Sequence, residues 1–248
     1  MIIRIIPLIV IFFFCTTSAQ KFKENYVFTV KNNSAGTSFE FPGVLFYDAK
    51  NRTKLYTADF GIKDKTKNTT EFETGSFIII SDKSFQYILY SNSENRVIIQ
   101  DNIQGKNYIL EDSPAMKWQL LNETKTLNGT TLHKAVTFFR GRNYTVWYTP
   151  ESLVKTGPWK FDNLPGLAVE IYDESKDFIW QLKSSEHYTQ PIKNPFNDYK
   201  GDPLPYKDYP KLRYALSPAL EKALQQNPNN KIVEQPRNGL EIKFEWEK

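Results

Sequence analysis

The side chains able to carry acid–base or metal chemistry are few in this 248-residue chain. The two histidines, His133 and His187, lie outside any histidine-rich motif, and neither a Gly-x-Ser-x-Gly nor a His-Glu-x-x-His sequence is present. Glu111, Asp112 and Glu123 are close in sequence, but spacing alone does not make carboxylates a general acid–base pair. The sequence therefore predicts no catalytic residue, no metal site and no cofactor, and it argues against an enzyme.

A group of cationic side chains precedes two carboxylates in the middle of the chain. The cations are Lys134, Arg140, Arg142 and Lys160, and the carboxylates are Glu170 and Asp173. In one interpretation these residues form ion pairs between neighbouring strands. In the other, the cations form a basic rim that meets an anionic headgroup or carboxylate. The formal net charge of +4 is not concentrated as in nucleic-acid-binding proteins, so no nucleic-acid partner is predicted.

Aromatic side chains accompany a loop punctuated by proline and glycine, residues 150–166. They are Trp147, Tyr148, Trp159 and Phe161. Two interpretations are open: these rings rim a binding mouth as exposed contacts, or they form the lid of the hydrophobic core. The loop ends in Leu164-Pro165-Gly166-Leu167, which predicts a type II turn because proline fixes its own φ and glycine permits a positive φ. The flanking leucines are then expected to enter the core.

The elements that must position these side chains are predicted to be short strands separated by turn signals. On the strand that starts at Thr130, Leu132, Val136 and Phe138 are expected to face the core, and Thr131, His133 and Thr137 the opposite side. Asn128-Gly129 is a strong hairpin signal, since both central positions need positive φ. The predicted strands are 77–80, 85–90, 97–100, 107–110, 118–121, 123–127, 130–140, 143–149, 167–172, 178–182 and 240–246.

This succession predicts a mainly β fold, a curved antiparallel sheet that forms a partly open β-barrel, with a two-sheet sandwich as the alternative. Residues 20–248 are expected to form a single domain. A proline-rich arm is predicted at about 187–216, and Ser217-Pro218 predicts a short C-terminal helix over 217–226, around Leu220. Whether that helix fills the barrel is left open by the sequence.

The first 19 residues have the pattern of a cleaved signal peptide. Arg4 precedes an apolar run over 5–14, and Thr17-Ser18-Ala19 supplies the small residues of a cleavage site. The run is too short for a spanning helix. An N-terminal membrane anchor and a lipoprotein attached through Cys15 are the alternatives. The sequence predicts an exported protein with no transmembrane segment after removal of the signal.

The segment 107–173 resembles the GLPGLI family, envelope proteins common in Bacteroidota. The namesake motif is Asn163-Leu-Pro-Gly-Leu-Ala168, in which Asn163 and Ala168 replace the family's Gly and Ile. The resemblance implies a periplasmic or other cell-envelope location and a fold similar to open-barrel lipoprotein carriers. The matching blocks, in order, are 107–113, Trp118, 122–125, Lys134-Ala135, Gly141-Arg142, 146–150, Gly157-Pro158, Phe161 and 164–167.

Three functions are compatible with these observations. A carrier of a hydrophobic ligand, such as a lipid acyl chain, predicts an apolar cavity lined by Leu132, Val136, Phe138 and the strand face of Phe178. An accessory protein of an outer-membrane transport system predicts a filled core and an exposed aromatic patch, with contact through the 150–166 loop or a sheet edge. A hydrolase requires a convergent nucleophile and base, for which the sequence gives no signal. The carrier is the leading prediction.

Overall fold

The fold is dominated by strands. A computed structural model describes residues 20–32, 36–60, 86–92, 96–216, 221–222, 225–226 and 236–247. Within these residues a 3₁₀ turn at Tyr206–Asp208 leads into the helix α1 at Tyr209–Tyr214. The strands are β1 (Lys21–Asn32), β2 (Thr37–Asp48), β3 (Thr53–Asp59), β4 (Gln86–Ser91), β5 (Val97–Ile103), β6 (Lys106–Asp112), β7 (Gln119–Leu127), β8 (Thr130–Phe139), β9 (Arg142–Thr149), β10 (Leu167–Asp173), β11 (Phe178–Tyr188) and β12 (Leu204–Pro205).

All twelve strands of the described chain belong to one sheet, in the order β12-β6-β5-β4-β3-β2-β1-β11-β10-β9-β8-β7. Two antiparallel meanders, β1 to β6 and β7 to β11, meet where β1 pairs with β11. The pairing of β12 with β6 is parallel, and the other pairings are antiparallel. The predicted mainly β fold with a curved antiparallel sheet is confirmed, and the sheet does not close.

The connection between β6 and β7 shows how strongly the sheet curves. β6 ends at Asp112 and β7 begins at Gln119, although the two strands lie near opposite ends of the sheet. Seven residue steps span at most about 25 Å, so these ends must approach each other. The Thr137 hydroxyl fixes the connection by donating to the Lys117 carbonyl at 2.7 Å.

The inner face of the sheet is packed with aromatic rings. Trp180 lies at the centre, 4.4 Å from the Phe28 ring and 5.1 Å from the Phe161 ring, measured between centroids. Trp159 stacks on Trp180 at 6.1 Å. Such rings contribute most of the apolar area that leaves water on folding.

Strands β1 to β3 were not predicted, although they occupy the middle of the sheet. Their alternation is visible in Tyr26 and Phe28, which are buried. However, Glu24 and Lys54 also face inward and are 0% and 2% exposed. Strand prediction from alternating polar and apolar residues places charged residues on the solvent side. Charged residues at inward positions therefore break the expected alternation, and the strands were missed.

The predicted core face of β8 is wrong at its C-terminal end. Phe138 is 68% exposed, whereas Ala135, Thr137 and Phe139 are buried. The pairing with β9 explains this, because Ala135 lies opposite Val146 and directly paired side chains share a face. Phe138 and Phe139 are adjacent apolar residues, so only one of them can point inward. The hairpin prediction is correct, since Asn128 and Gly129 have φ of 49° and 79°.

The C-terminal segment is not the predicted strand over 240–246. It folds as irregular backbone in which the Ile242 and Lys243 amides both donate to the Arg140 carbonyl, at 2.9 and 3.2 Å. This bend turns Glu241 and Phe244 into the core. The arm predicted at 187–216 packs onto the sheet through β12 and Tyr206.

Several other predictions fall partly or wholly on undescribed residues. The signal sequence, 1–19, and the strand predicted at 77–80 lie outside the described residues. Of the helix predicted over 217–226, the described residues 221–222 and 225–226 are helical. No helix in the described part of the chain has the length and apolar character needed to cross a membrane.

Candidate functional site: a buried ion network beneath a surface groove

The middle of the loop 150–166, residues 156–161, folds into the core. Trp159 and Phe161 are 3% and 0% exposed, and Leu164 and Leu167 are also buried. The interpretation of these two rings as exposed contacts is therefore wrong, and they form the lid of the core. Tyr148 is buried on the same inner face. Trp147 lies half-buried on the outer face, with the Lys125 and Lys134 ammonium groups 4.6 and 5.9 Å from its ring centroid.

The motif at the end of the loop does not form the predicted type II turn. Gly166 does not have a positive φ; its backbone lies so close to β9 that an added Cβ would be 2.0 Å from the Thr149 carbonyl oxygen. The positive φ occurs at Asn163, at 57°. Asparagine tolerates this left-handed conformation better than most residues that carry a side chain.

A buried lysine anchors the same loop from β3. The Lys54 ammonium group donates to the Phe161 carbonyl at 3.2 Å, and the Thr156 hydroxyl donates to the same carbonyl at 2.9 Å. Burial lowers the pKa of Lys54 to about 8, and the charge of Asp162 opposes this effect. The polar side chains thus hold the plug formed by the loop in place.

Two of the predicted cations, Arg140 and Lys160, converge in a buried ion network. Arg140 Nη1 and Nη2 donate to the two carboxylate oxygens of Asp112 at 2.7 and 2.8 Å. Arg140 Nη1 also contacts Glu241 at 2.5 Å. Lys160 Nζ is 2.7 Å from Asp112 and 2.8 Å from Glu241. All four side chains are at most 4% exposed, and their charges balance.

The network favours the charged forms of Asp112 and Arg140. Burial alone would raise the pKa of Asp112, but the charges and hydrogen bonds of Lys160 and Arg140 lower it to about 2. Burial disfavours the charged form of Arg140, yet the hydrogen bond to Asp112 and the charge of Glu241 raise its pKa well above the ordinary value. The Tyr206 hydroxyl completes the network by donating to Glu241. Asp112 and Arg140 therefore remain ionised at neutral pH.

Four aromatic rings surround the Arg140 guanidinium. Its central carbon is between 4.9 and 5.6 Å from the ring centroids, within the range of cation–π attraction. The rings come from β8, the arm and the C-terminal segment, and they are Phe139, Tyr206, Phe244 and Trp246. Arg140 thus joins three distant parts of the chain at one point.

A surface groove of about 480 Å³ lies above this network. Its rim is accessible, since Trp246 is 40% exposed and the Glu245 side chain 54% exposed. Glu245 is held by Arg140 Nε at 3.1 and 3.2 Å. The lining residues are Glu111, Asp112, Ser113, Arg140, Pro203, Pro205, Tyr206, Lys207, Glu245 and Trp246.

The other two predicted cations lie elsewhere, so the predicted basic rim is wrong. Arg142 pairs with Asp173 at 2.7 Å, as the ion-pair interpretation expected. Lys134 pairs with Glu123 at 3.0 Å on the outer face. Glu170 pairs instead with Lys125.

Sequence reasoning missed Glu241 and Tyr206. Both are far from Arg140 along the chain, so no local spacing indicates the contact. His133 packs against the Tyr148 ring at 5.9 Å, a structural position. The described residues contain no group of three or more histidine, cysteine or acidic side chains placed to hold a metal ion.

Fold and site together define a mainly β protein with a plugged, unclosed sheet and a charged groove at its opening. Among solved structures it is similar to PNGF-II in its C2 crystal form, with a TM-score of 0.50 and 18% identity over 77% of this chain and 32% of that one. For the P2₁ form the TM-score is 0.51 and the identity 16%, over 79% and 34% of the two chains. The chain thus spans about a third of the length of PNGF-II, and the likeness concerns the fold alone. No protein-family model matches the sequence, and no curated protein is significantly similar to it.

Proposed function

We propose that this chain is an exported, non-enzymatic accessory module of the cell envelope that contacts a protein partner through its surface. The observation that carries this proposal is the filled interior: Trp159 and Phe161 occupy the inner face against Trp180. The carrier hypothesis assigns that space to an acyl chain. The GLPGLI resemblance supports the envelope location, and a component of an outer-membrane transport system is the proposed partner.

The residues expected to line a ligand cavity support the same conclusion. Phe138 points outward and is 68% exposed. Phe178 faces inward, but its ring is stacked 6.3 Å from Phe28 and covered by the Arg142 guanidinium at 4.8 Å. These contacts are made by the chain itself. A hydrophobic ligand would have to displace them.

We place the partner contact at the groove rather than at the loop 150–166. The groove presents Trp246 and Glu245 on a floor that is fixed by the ion network, so little side-chain freedom is lost on binding. Exposed tryptophan on a rigid base is typical of residues that dominate binding energy. The predicted loop contacts, by contrast, are buried.

Native mass spectrometry of the protein, purified gently from its own envelope, tests this function. We expect the bare polypeptide mass. A reproducible mass increment that extracts into organic solvent would overturn the proposal in favour of a hydrophobic-ligand carrier.

Crosslinking in the envelope then tests the place of contact. We expect Trp246→Ala to reduce capture of the partner several-fold, because it removes the exposed ring. Tyr199→Ala is the matched control, because it removes an exposed ring that lies on the arm and not at the groove. Equal capture by both variants would exclude the groove as the contact surface.

A further inference from the structure

Strand β7 forms one end of the sheet in the described part of the chain. Seven of its nine side chains are exposed. An edge strand of this length presents backbone donors and acceptors to any extended chain that approaches it. Its pairing with β8 is irregular between Leu120 and Thr124, where the register shifts, and is regular from Thr124 to Leu127.

The sequence of this edge is self-complementary about Thr124. Two antiparallel copies of β7 centred on that residue would place Glu123 opposite Lys125 of the second copy, and Lys125 opposite Glu123. The same register places Leu121 opposite Leu127 and Asn122 opposite Thr126. Thr124 would meet its own equivalent on the two-fold axis. Opposite charges, paired leucines and paired threonines are each favourable in cross-strand positions.

The side-chain faces are consistent with this register. Alternation over residues 124–127, where the ladder is regular, places Lys125 and Leu127 on one face. Glu123, whose carboxylate reaches Lys134, lies on the same face. This is the outer face of the sheet, because Glu123 pairs with Lys134 and Lys125 lies over the Trp147 ring. Leu127 is 44% exposed, so the outer row has an apolar residue available at its end.

We propose that a second copy of this chain pairs with β7 through antiparallel β7–β7 strand addition, with Thr124 on the two-fold axis. The pairing joins two sheets into one and forms an isologous dimer, in which the same surface serves both copies. This interface is separate from the groove and goes beyond the proposed function.

The charged side chains of β7 already have partners within the same copy. Lys125 reaches over the Trp147 ring to Glu170 on β10, and Glu123 binds Lys134 on β8. On pairing, the Lys125 ammonium group turns from Glu170 toward Glu123 of the second copy, which lies directly opposite it. Charges on an edge strand usually oppose edge-to-edge association, but here they alternate so as to favour one partner and one register.

Charge reversal tests the register by analytical ultracentrifugation. We expect the natural protein to dimerise, and Lys125→Glu to weaken the dimer by roughly tenfold or more because both cross-strand pairs become like-charged. Glu123→Lys should do the same. The double variant Glu123→Lys/Lys125→Glu should restore dimerisation. A monomer at all concentrations, or a dimer insensitive to the single reversals, would overturn the proposal. If the protein is a monomer, the β7 edge would be available to a strand of another protein instead.

A cysteine on the axis gives an independent test that does not depend on charge. Residues 20–248 contain no cysteine, so Thr124→Cys adds a unique thiol once Cys15 is removed or replaced by Ser. Directly opposed antiparallel residues have Cα atoms about 4.5 to 5.5 Å apart, within disulfide range. We expect Thr124→Cys to crosslink on mild oxidation. Thr126→Cys should not, since its equivalent would be four residue steps away, roughly 14 Å. Equal crosslinking by the two variants would contradict the register.

Discussion

Arg140 and Asp112 form a two-point ion pair that links the end of β8 to the end of β6, near opposite sides of the sheet. The two bonds, 2.7 and 2.8 Å long, lie in a position where both side chains are at most 4% exposed. The pair therefore holds together two parts of the sheet that are not hydrogen-bonded neighbours. Lys160 and Glu241 add the loop and the C-terminal segment to the same point.

Removing one carboxylate from the network should be strongly destabilising. We expect Asp112→Ala to lower the free energy of unfolding by about 3 to 5 kcal/mol, because it leaves Arg140 and Lys160 buried with too few partners. Denaturant-induced unfolding measures the change. The control is the neighbouring Glu111→Gln, which breaks an exposed pair with Arg96 and should cost at most about 1 kcal/mol. Similar small losses in both variants would mean that the network is not a main support of the fold.

Glu24 should make the protein less stable as pH rises. Burial raises the pKa of this carboxyl to about 7, against the hydrogen bond from Ser185, and the charge of Glu186 raises it further. Its Oε2 atom has no hydrogen-bond partner among the described residues. Because the folded pKa lies above the ordinary 4.5, stability is expected to fall between pH 4.5 and 7 by up to about 3 kcal/mol.

Glu24→Gln should remove this contribution. We expect the variant to gain stability over the natural protein at pH 8 and to lose that advantage at pH 4, as followed by urea unfolding across the pH range. Glu40→Gln, an exposed change on the neighbouring strand β2, serves as the control. Parallel stability–pH curves for the Glu24→Gln variant and the natural protein would show that Glu24 does not titrate in this way.

Trp159→Ala should act on stability and not on surface contact. Truncation of this buried ring is expected to cost about 3 to 5 kcal/mol, because it opens a cavity against Trp180 and Phe161. Trp147→Ala, on the outer face, should cost clearly less. Thermal melts of the two variants provide the comparison, and an unchanged melt for Trp159→Ala would indicate that the loop does not fill the core.

Gly166→Ala should destabilise the loop closure by about 1 to 3 kcal/mol, since the new methyl group would overlap the Thr149 carbonyl and force the backbone apart. At Gly201 the nearest atom to an added Cβ is the Tyr199 hydroxyl, the end of an exposed side chain that can move. Gly201→Ala is therefore expected to be nearly neutral. Chemical denaturation of both variants would reveal whether the close approach at Gly166 matters.

The strands β4 to β11 could be predicted because their local patterns agree with their environment. Asn128-Gly129 shows this best, as its turn geometry depends on two residues alone. The face of β8 could not be predicted, because the choice between Phe138 and Phe139 is made by β9. The strand predicted at the C-terminus failed for a similar reason: Glu241 alternates with apolar residues as in a strand, but its carboxylate is drawn into the core by Arg140 and Lys160.

The candidate site was predictable only in part. Arg140 and Lys160 were selected from their position in the sequence, whereas the network that they form depends on contacts with Glu241, more than eighty residues from either. The binding role of Trp147 and Arg142 stays a prediction, whereas Tyr148 is buried and is not the exposed contact that was predicted.

The pairing of β1 with β11 also affects the order in which the strands pair during folding. Lys21 lies opposite Tyr188, so this pairing joins segments that are far apart along the chain. Contacts so distant along the chain are slow to form. We expect pulse-labelling hydrogen exchange to show the β1 amides that face β11 protected after those of the β8–β9 hairpin, and simultaneous protection would contradict this order. A chain that ends before β11 would lack the strand that joins its two meanders, and could not reach the native sheet.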